Sequence, residues 1–231
     1  MKSPAIQAAA DPGAGRQRMV GRPPGKSGSR EKFDQRRFQL LQAAARTFNS
    51  KGYHLATLED VAAEFGVTKP AIYYYARSKD ELLFACGQAA MDALREALDQ
   101  TDKDMSGLDR LKHFFRRYGE VICQEFGRCL VLMQPRDLAP ETRRKDLGGR
   151  RTLTKAVRGM IADGVKDGSI RRCDERALAM ALFDAFNGLA RWYDPEGPTK
   201  LADVIEQYLA IFLHGIEAPV TTNRAEGESD D

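Results

Sequence analysis

An all-α fold is predicted by three features of this sequence. Apolar residues recur at helical spacing through almost the whole middle of the chain. Capping residues stand where those apolar stripes begin, and no segment shows the period-two alternation of a strand bounded by turn residues. At 231 residues there is room for one large domain or two small ones that share a core. The 42% hydrophobic and 30% charged residues match an ordinary soluble globular protein. No run approaches the roughly 20 apolar residues of a membrane span. Lys2 is not followed by a continuous apolar stretch, so neither a signal peptide nor a membrane partner is expected, and the protein is assigned to the cytoplasm.

The elements follow in order. Residues 1–30 hold Pro4, Pro12, Pro23, Pro24 and five glycines, and read as a flexible arm. Phe38, Leu41, Ala45 and Phe48 then make a helical stripe that stops at Gly52. Two short helices occupy residues 57–77, and a long one runs from Lys79 to about Gln100 with Leu82, Cys86, Ala90, Ala93 and Ala97 on one face. The next carries Leu108, Leu111, Phe115, Tyr118 and Ile122. Pro135 and Pro140 break the pattern, which Leu153, Val157, Met160 and Val165 resume until Gly168, with Gly148-Gly149 marking a break inside it. Asp174 opens a strongly apolar helix through Leu178, Leu182, Phe186, Leu189 and Tyr193. The turn Asp194-Pro195-Glu196-Gly197-Pro198 precedes a last helix from Thr199 to about Ile216. From Ala218 the chain is a polar, acidic tail.

Charge is unevenly placed. Between Arg16 and Arg37 eight basic residues face only Glu31 and Asp34, a surplus of six against +3 for the whole chain. A basic end on a near-neutral body points to a polyanion. Cys86, Cys123, Cys129 and Cys173 form no C-x-x-C pair and read as reduced thiols. His54, His113 and His214 lie far apart with no second ligand at helical spacing, so no metal is expected. No phosphate loop or nucleophile–base pair appears, so no cofactor and no enzymatic activity are expected.

The informative stretch is residues 57–83. Thr57, with Asp60 three residues on, is a capping pair for a short helix whose inner face is Leu58, Val61, Ala62 and Phe65. Gly66 supplies a tight turn and Val67 plugs the corner. Thr68 caps a second helix with Pro70 in its first turn, and Ser78 with Glu81 forms another capping box. Helix, four-residue turn, helix is a helix-turn-helix. Its second helix turns Ile72 inward and crowds Lys69, Tyr73, Tyr74 and Tyr75 on the rest. Three consecutive tyrosines suit a DNA surface, where hydroxyls meet phosphates and rings meet sugars and thymine methyls. Lys79 adds a charge beside free helix N–H groups.

This segment resembles the TetR family of bacterial transcriptional regulators, whose signature is a threonine-started helix, a Gly-Val turn, and a short recognition helix ending in aromatic residues before Ser-Lys-(Asp/Glu)-x-Leu. The resemblance is close over residues 35–83 and looser in the helical layout beyond. It implies that Lys69, Pro70 and Tyr74 meet base edges or methyls, and that Thr57, Tyr73, Tyr75 and Lys79 meet phosphates. Thr68 belongs to the same candidate set. The family usually carries a bulky residue where this chain has Ala76, a core contact that Phe33, Phe38 or Phe84 would fill.

The expected organisation is an arm (1–30), a helix-turn-helix unit (31–80), a ligand-binding and dimerisation body (81–217) and a tail (218–231). The last two helices, apolar on more than one face, are expected to pair with a twin into a four-helix interface, so that a homodimer reads a palindromic double-stranded operator. The family's mechanism implies a repressor released when a small molecule enters the body. Phe114, Phe115, Phe126, Met133, Phe183 and Asn187 are candidate ligand contacts. Trp192-Tyr193-Asp194-Pro195-Glu196-Gly197 resembles a stretch of TetR-like regulators that respond to CoA thioesters, which implies an acyl-CoA or a related organic acid, its phosphates met by arginines such as Arg116, Arg117, Arg143, Arg144 and Arg191. The rival readings are a constitutive or architectural DNA-binding protein without an effector, and a helical enzyme.

Overall fold

The computed structural model describes residues 26–102 and 104–214, and these contain nine α-helices, one 3₁₀ turn and no strand. The basic residues Arg16 to Arg22 and the acidic tail from Ala218 lie outside the described residues. Among the described residues, those from Lys26 to Arg36 belong to one unit and those from Arg37 to a second. The described part of the first unit is the start of α1 (Lys26–Lys51), where residues 30–36 are exposed apart from the half-buried Phe33. Helix therefore begins inside the segment assigned to the arm: after Pro24 no proline interrupts the chain before Lys51.

In the second unit α1 buries Leu40, Leu41, Ala44, Ala45 and Phe48. After it come α2 (Leu58–Phe65), α3 (Lys69–Ile72) and α4 (Lys79–Asp99). The body continues with α5 (Gly107–Cys123), α6 (Glu125–Leu132), a 3₁₀ turn at Pro135–Asp137, α7 (Pro140–Asp167), α8 (Glu175–Trp192) and α9 (Leu201–His214). Helix α5 is the hub, packing against α4, α6, α7, α8 and α9. Its aromatic stripe meets that of α8: the Phe115 and Phe186 ring centroids are 4.9 Å apart and those of Tyr118 and Phe183 are 5.2 Å apart. Rings at these spacings add attraction beyond their buried area.

Glycines stand where helices approach closely, Gly127 and Gly149 among them. A Cβ on Gly127 would lie 1.8 Å from the Val121 carbonyl oxygen, so only glycine lets α6 fold back on the end of α5. The apolar pattern runs through this break and does not reveal it. Gly148-Gly149, expected to interrupt a helix, lies inside an unbroken α7. Gly149 is buried, and a Cβ there would be 3.3 Å from the Arg95 guanidinium and 3.5 Å from Met91, so the glycine admits α4 at close range. Neither Phe33 nor Phe38 is buried: Phe38 is half exposed and lies edge-on to Phe126, with centroids 5.6 Å apart, while Ala76 is itself buried. No described helix is long and apolar enough to cross a membrane.

Candidate nucleic-acid interface and ligand cavity

Local chemistry shapes the first site. The Thr57 hydroxyl accepts the Asp60 N–H at 3.1 Å, while the Asp60 carboxylate accepts the Thr57 N–H and hydroxyl, each at 2.9 Å. This reciprocal cap starts α2. The Lys51 ammonium at 2.6 Å, followed by the Thr57 groups, holds the Asp60 carboxyl down at about 2. Gly66 ends α2 with φ 73°, a left-handed conformation that costs other residues energy, and the Val67 N–H then donates to the Ala62 carbonyl at 2.9 Å. Pro70 sits in the first turn of α3 as expected, but the Thr68 side chain makes no capping hydrogen bond. The second capping box is also altered. Ser78 accepts from the Glu81 N–H at 3.1 Å, but the Glu81 carboxylate reaches back to the N–H of Arg77 at 2.7 Å.

Ile72 is fully buried, which rolls the opposite side of α3 outward. Tyr73 is 51% and Tyr74 73% exposed, and Thr57, Thr68 and Pro70 are exposed with them. Tyr75 is half-buried, edge-on between Tyr74 and Phe65. The two lysines already have partners. Lys69 pairs with Glu59 at 2.5 Å, and that bond raises its ammonium and lowers the Glu59 carboxyl. The Lys79 ammonium donates to the carbonyls of Tyr53 (2.7 Å) and Ala56 (2.9 Å) and lies 4.4 Å from the Tyr53 ring centroid. Lys79 thus clamps the loop before α2 as well as standing at the start of α4.

The second site is a cavity of about 170 Å³ in the body. Apolar side chains from several helices line it, among them Met91, Leu94, Leu130, Leu153 and Phe183. Its polar groups are Tyr118, Arg150, Thr154, Asp184 and Asn187. Of the candidate ligand contacts, the fold brings only Phe183 and Asn187 here. Phe114 and Phe115 are fully buried in the core, Met133 is buried under α4, and Phe126 lies against Phe38. The arginines proposed for a tunnel mouth do not gather at it either: Arg116 forks onto Glu206 at 2.6 and 3.0 Å, and Arg117 pairs with Glu120. Arg150 stands there instead. It binds the Asp146 carboxylate at 2.7 Å and the Leu130 carbonyl at 2.9 Å, and Asp146 is only 1% exposed. The signal that marks this pair in the sequence is an acidic and a basic residue four apart, on the face that carries Leu153 and Val157.

A larger cleft of about 870 Å³ separates α1 and α2 from the end of α5 and the start of α6. It is open and bordered by paired charges, including Arg46 with Glu64 and Glu125, and Lys51 with Asp60. That lining suits solvent better than an apolar ligand. Among the described residues no group of three metal-ligating side chains comes together.

Comparison with known proteins matches the helix-turn-helix region. Residues 40–86 fit the family model described as bacterial regulatory proteins, tetR family, and residues 104–216 fit the tetracyclin repressor-like C-terminal domain. The chain is 30% identical over 194 residues to the HTH-type transcriptional repressor KstR2 of Mycolicibacterium smegmatis, covering 78% of this chain and 90% of that protein. It is 42% identical over 186 residues to the HTH-type transcriptional activator FasR of the same species, covering 78% and 83%. Among solved structures, the TetR family transcriptional regulator PfmR from Thermus thermophilus superposes with a TM-score of 0.72 at 26% identity, over 78% of this chain and 99% of that one.

Proposed function

The chain belongs to the TetR family of bacterial transcriptional regulators, DNA-binding proteins rather than enzymes, and from that premise we propose that it is a ligand-released repressor acting as a homodimer on a palindromic operator. The observation that carries this reading is the α3 surface, where a buried Ile72 turns Tyr73, Tyr74 and Pro70 outward as one continuous face. Tyr74, Pro70 and Lys69 meet base edges or methyls in the major groove. Thr57, Thr68, Tyr73 and Tyr75 contact the flanking phosphates, and Lys79 with the first N–H groups of α4 adds an anion site. To reach DNA, Lys69 exchanges Glu59 for a base or phosphate, a cheap step for an exposed ion pair.

Dimerisation is assigned to α8 and α9. Ala177, Ala181 and Gly188 make a stripe of small residues on α8 that reaches solvent, and Trp192 (54% exposed) and Ile211 of α9 (51% exposed) extend it. A twin helix approaches closely along such a stripe. Repression follows the KstR2 precedent; the FasR name makes activation the alternative outcome. The effector is an acyl-CoA thioester or a related organic acid, whose apolar end enters the body cavity between α4, α7 and α8.

The test is selection of binding duplexes from a random pool, then fluorescence anisotropy on the selected sequence. A palindrome bound by two chains, and released by one class of acyl compound, is the expected result. Binding with no selected sequence would favour an architectural protein. A selected operator that no metabolite releases would favour a constitutive regulator.

A further inference from the structure

The polar wall of the body cavity draws its donors from two residues, Arg150 and Asn187. Arg150 spends two of its five N–H groups, one on Asp146 and one on the Leu130 carbonyl, and keeps three. Asn187 accepts the Tyr118 hydroxyl at 2.7 Å through its carbonyl oxygen, which fills one of that oxygen's two lone pairs and identifies the NH₂ as the donor end of the amide. Tyr118 is buried in the same wall, and its proton is committed to Asn187. The Thr154 hydroxyl donates back to the Arg150 carbonyl at 3.0 Å. The donors this wall offers a guest are therefore those of Arg150 and Asn187, while the Tyr118 and Thr154 oxygens, their protons spent, add only acceptor lone pairs.

Its charge is a separate matter. The guanidinium of Arg150 is already offset by the buried Asp146, and Asp184 adds a second carboxylate at the exposed edge. A guest carboxylate would enter beside two carboxylates and one guanidinium. A neutral oxygen acceptor takes the same donors with no such repulsion and a smaller desolvation cost.

Size narrows the guest further. An apolar cavity of roughly 150 Å³ holds a benzene-sized molecule. The 170 Å³ here admits a short acyl or aromatic group and excludes a nucleotide. We infer that Arg150 and Asn187 form the recognition site for a neutral carbonyl oxygen at the end of a small apolar group, as in the acyl part of a thioester, and that the site discriminates against the free acid. This rests on the ligand-responsive reading above and sharpens its choice of effector. Asp146 is a positioning residue: it holds the guanidinium in place and cancels its charge.

The experiment uses the full chain and calorimetric titration with two probes that share a six-carbon chain, S-hexanoyl-N-acetylcysteamine and sodium hexanoate. The neutral thioester should bind at least about tenfold more tightly than hexanoate. Arg150→Met alone strands a buried Asp146 and endangers folding; the pair Arg150→Met with Asp146→Leu removes both charges at similar volume. That double variant, and Asn187→Leu separately, should each weaken thioester binding about tenfold. Circular dichroism checks that each variant is folded. Equal affinity for the two probes, wild-type affinity in the double variant, or no thioester binding at all would overturn the assignment. Anisotropy on the selected duplex, run without any probe, reports separately whether the regulator reading stands.

Discussion

Lys79 has a structural task beside the contact with DNA proposed for it. Its ammonium holds the Tyr53 and Ala56 carbonyls and sits over the Tyr53 ring, which fixes the loop that leads into α2. Charged hydrogen bonds of this kind contribute about 1–3 kcal/mol. Lys79→Met should therefore lower the melting temperature and weaken binding to every duplex alike, with the salt slope falling by about 1. Lys69→Ala should leave the melting temperature nearly unchanged, because its ion pair with Glu59 is exposed, and should relax preference at one or two operator positions. Thermal melting with anisotropy on selected and random duplexes separates the two. If both variants lose only sequence preference, Lys79 has no structural task. At Asp60 the sign of the pH effect is set by its depressed folded-state pKa, which falls from 3.8 to about 2 through Lys51 and Thr57. The stabilisation is complete above 3.8 and is lost as the pH falls towards about 2. Denaturant midpoints of the wild type should drop across that window more steeply than those of Asp60→Asn, and parallel curves would refute the assignment.

Elements in this body are positioned by what their glycines permit. Gly127→Ala forces a Cβ against the Val121 carbonyl, so α6 must lift from α5, at a cost of about 1–3 kcal/mol or more. Gly148→Ala meets nothing within 4 Å on a helix surface and should stabilise by about 0.5–1 kcal/mol. Urea unfolding of the two variants gives opposite signs if α7 is continuous here. Helix α6 is also held at both ends. Asn49 of α1 donates to the Glu125 carbonyl at 2.9 Å, and Arg150 of α7 caps the Leu130 carbonyl. Its C-terminal half lines the cavity through Leu130 and Val131, so α6 joins the cavity wall to the helix that carries Asn49. Asn49→Ala should leave ligand affinity within about twofold and reduce ligand-driven release from DNA, measured on the same duplex.

On the scale of the whole molecule, the exposed stripe on α8 with Trp192 and Ile211 offers apolar surface to a partner. Trp192 is prepared for it: the indole N–H donates to the Tyr208 hydroxyl at 3.2 Å, and the two rings stack 6.3 Å apart. Ala181→Glu places a charge in the middle of the small-residue stripe, and should convert a dimer to a monomer in analytical ultracentrifugation. Operator affinity should fall by more than about tenfold with it, because each half-site is then bound alone. An unchanged sedimentation coefficient would move the interface elsewhere.

The sequence by itself determined the helix-turn-helix and the helical class. Caps, a left-handed glycine and a proline in a first turn act over three or four residues, so Thr57, Asp60, Gly66 and Pro70 declare α2 and α3 without help from the rest of the chain. Apolar spacing likewise located the long helices and, through Ile72, the outward face of α3. Spacing identifies which side of a helix is buried, and it is silent about what lies opposite. Phe114, Phe115 and Phe183 are equivalent as apolar residues on amphipathic helices, yet only Phe183 reaches the cavity. Thr68 shows the same limit at a cap, since a threonine in the right place made no capping bond. The break before α6, the uninterrupted path of α7 through Gly148-Gly149 and the reach of Arg150 to the Leu130 carbonyl of α6 were decided by tertiary structure. Each depends on atoms brought within a few ångströms by packing between helices, a distance that no local pattern encodes.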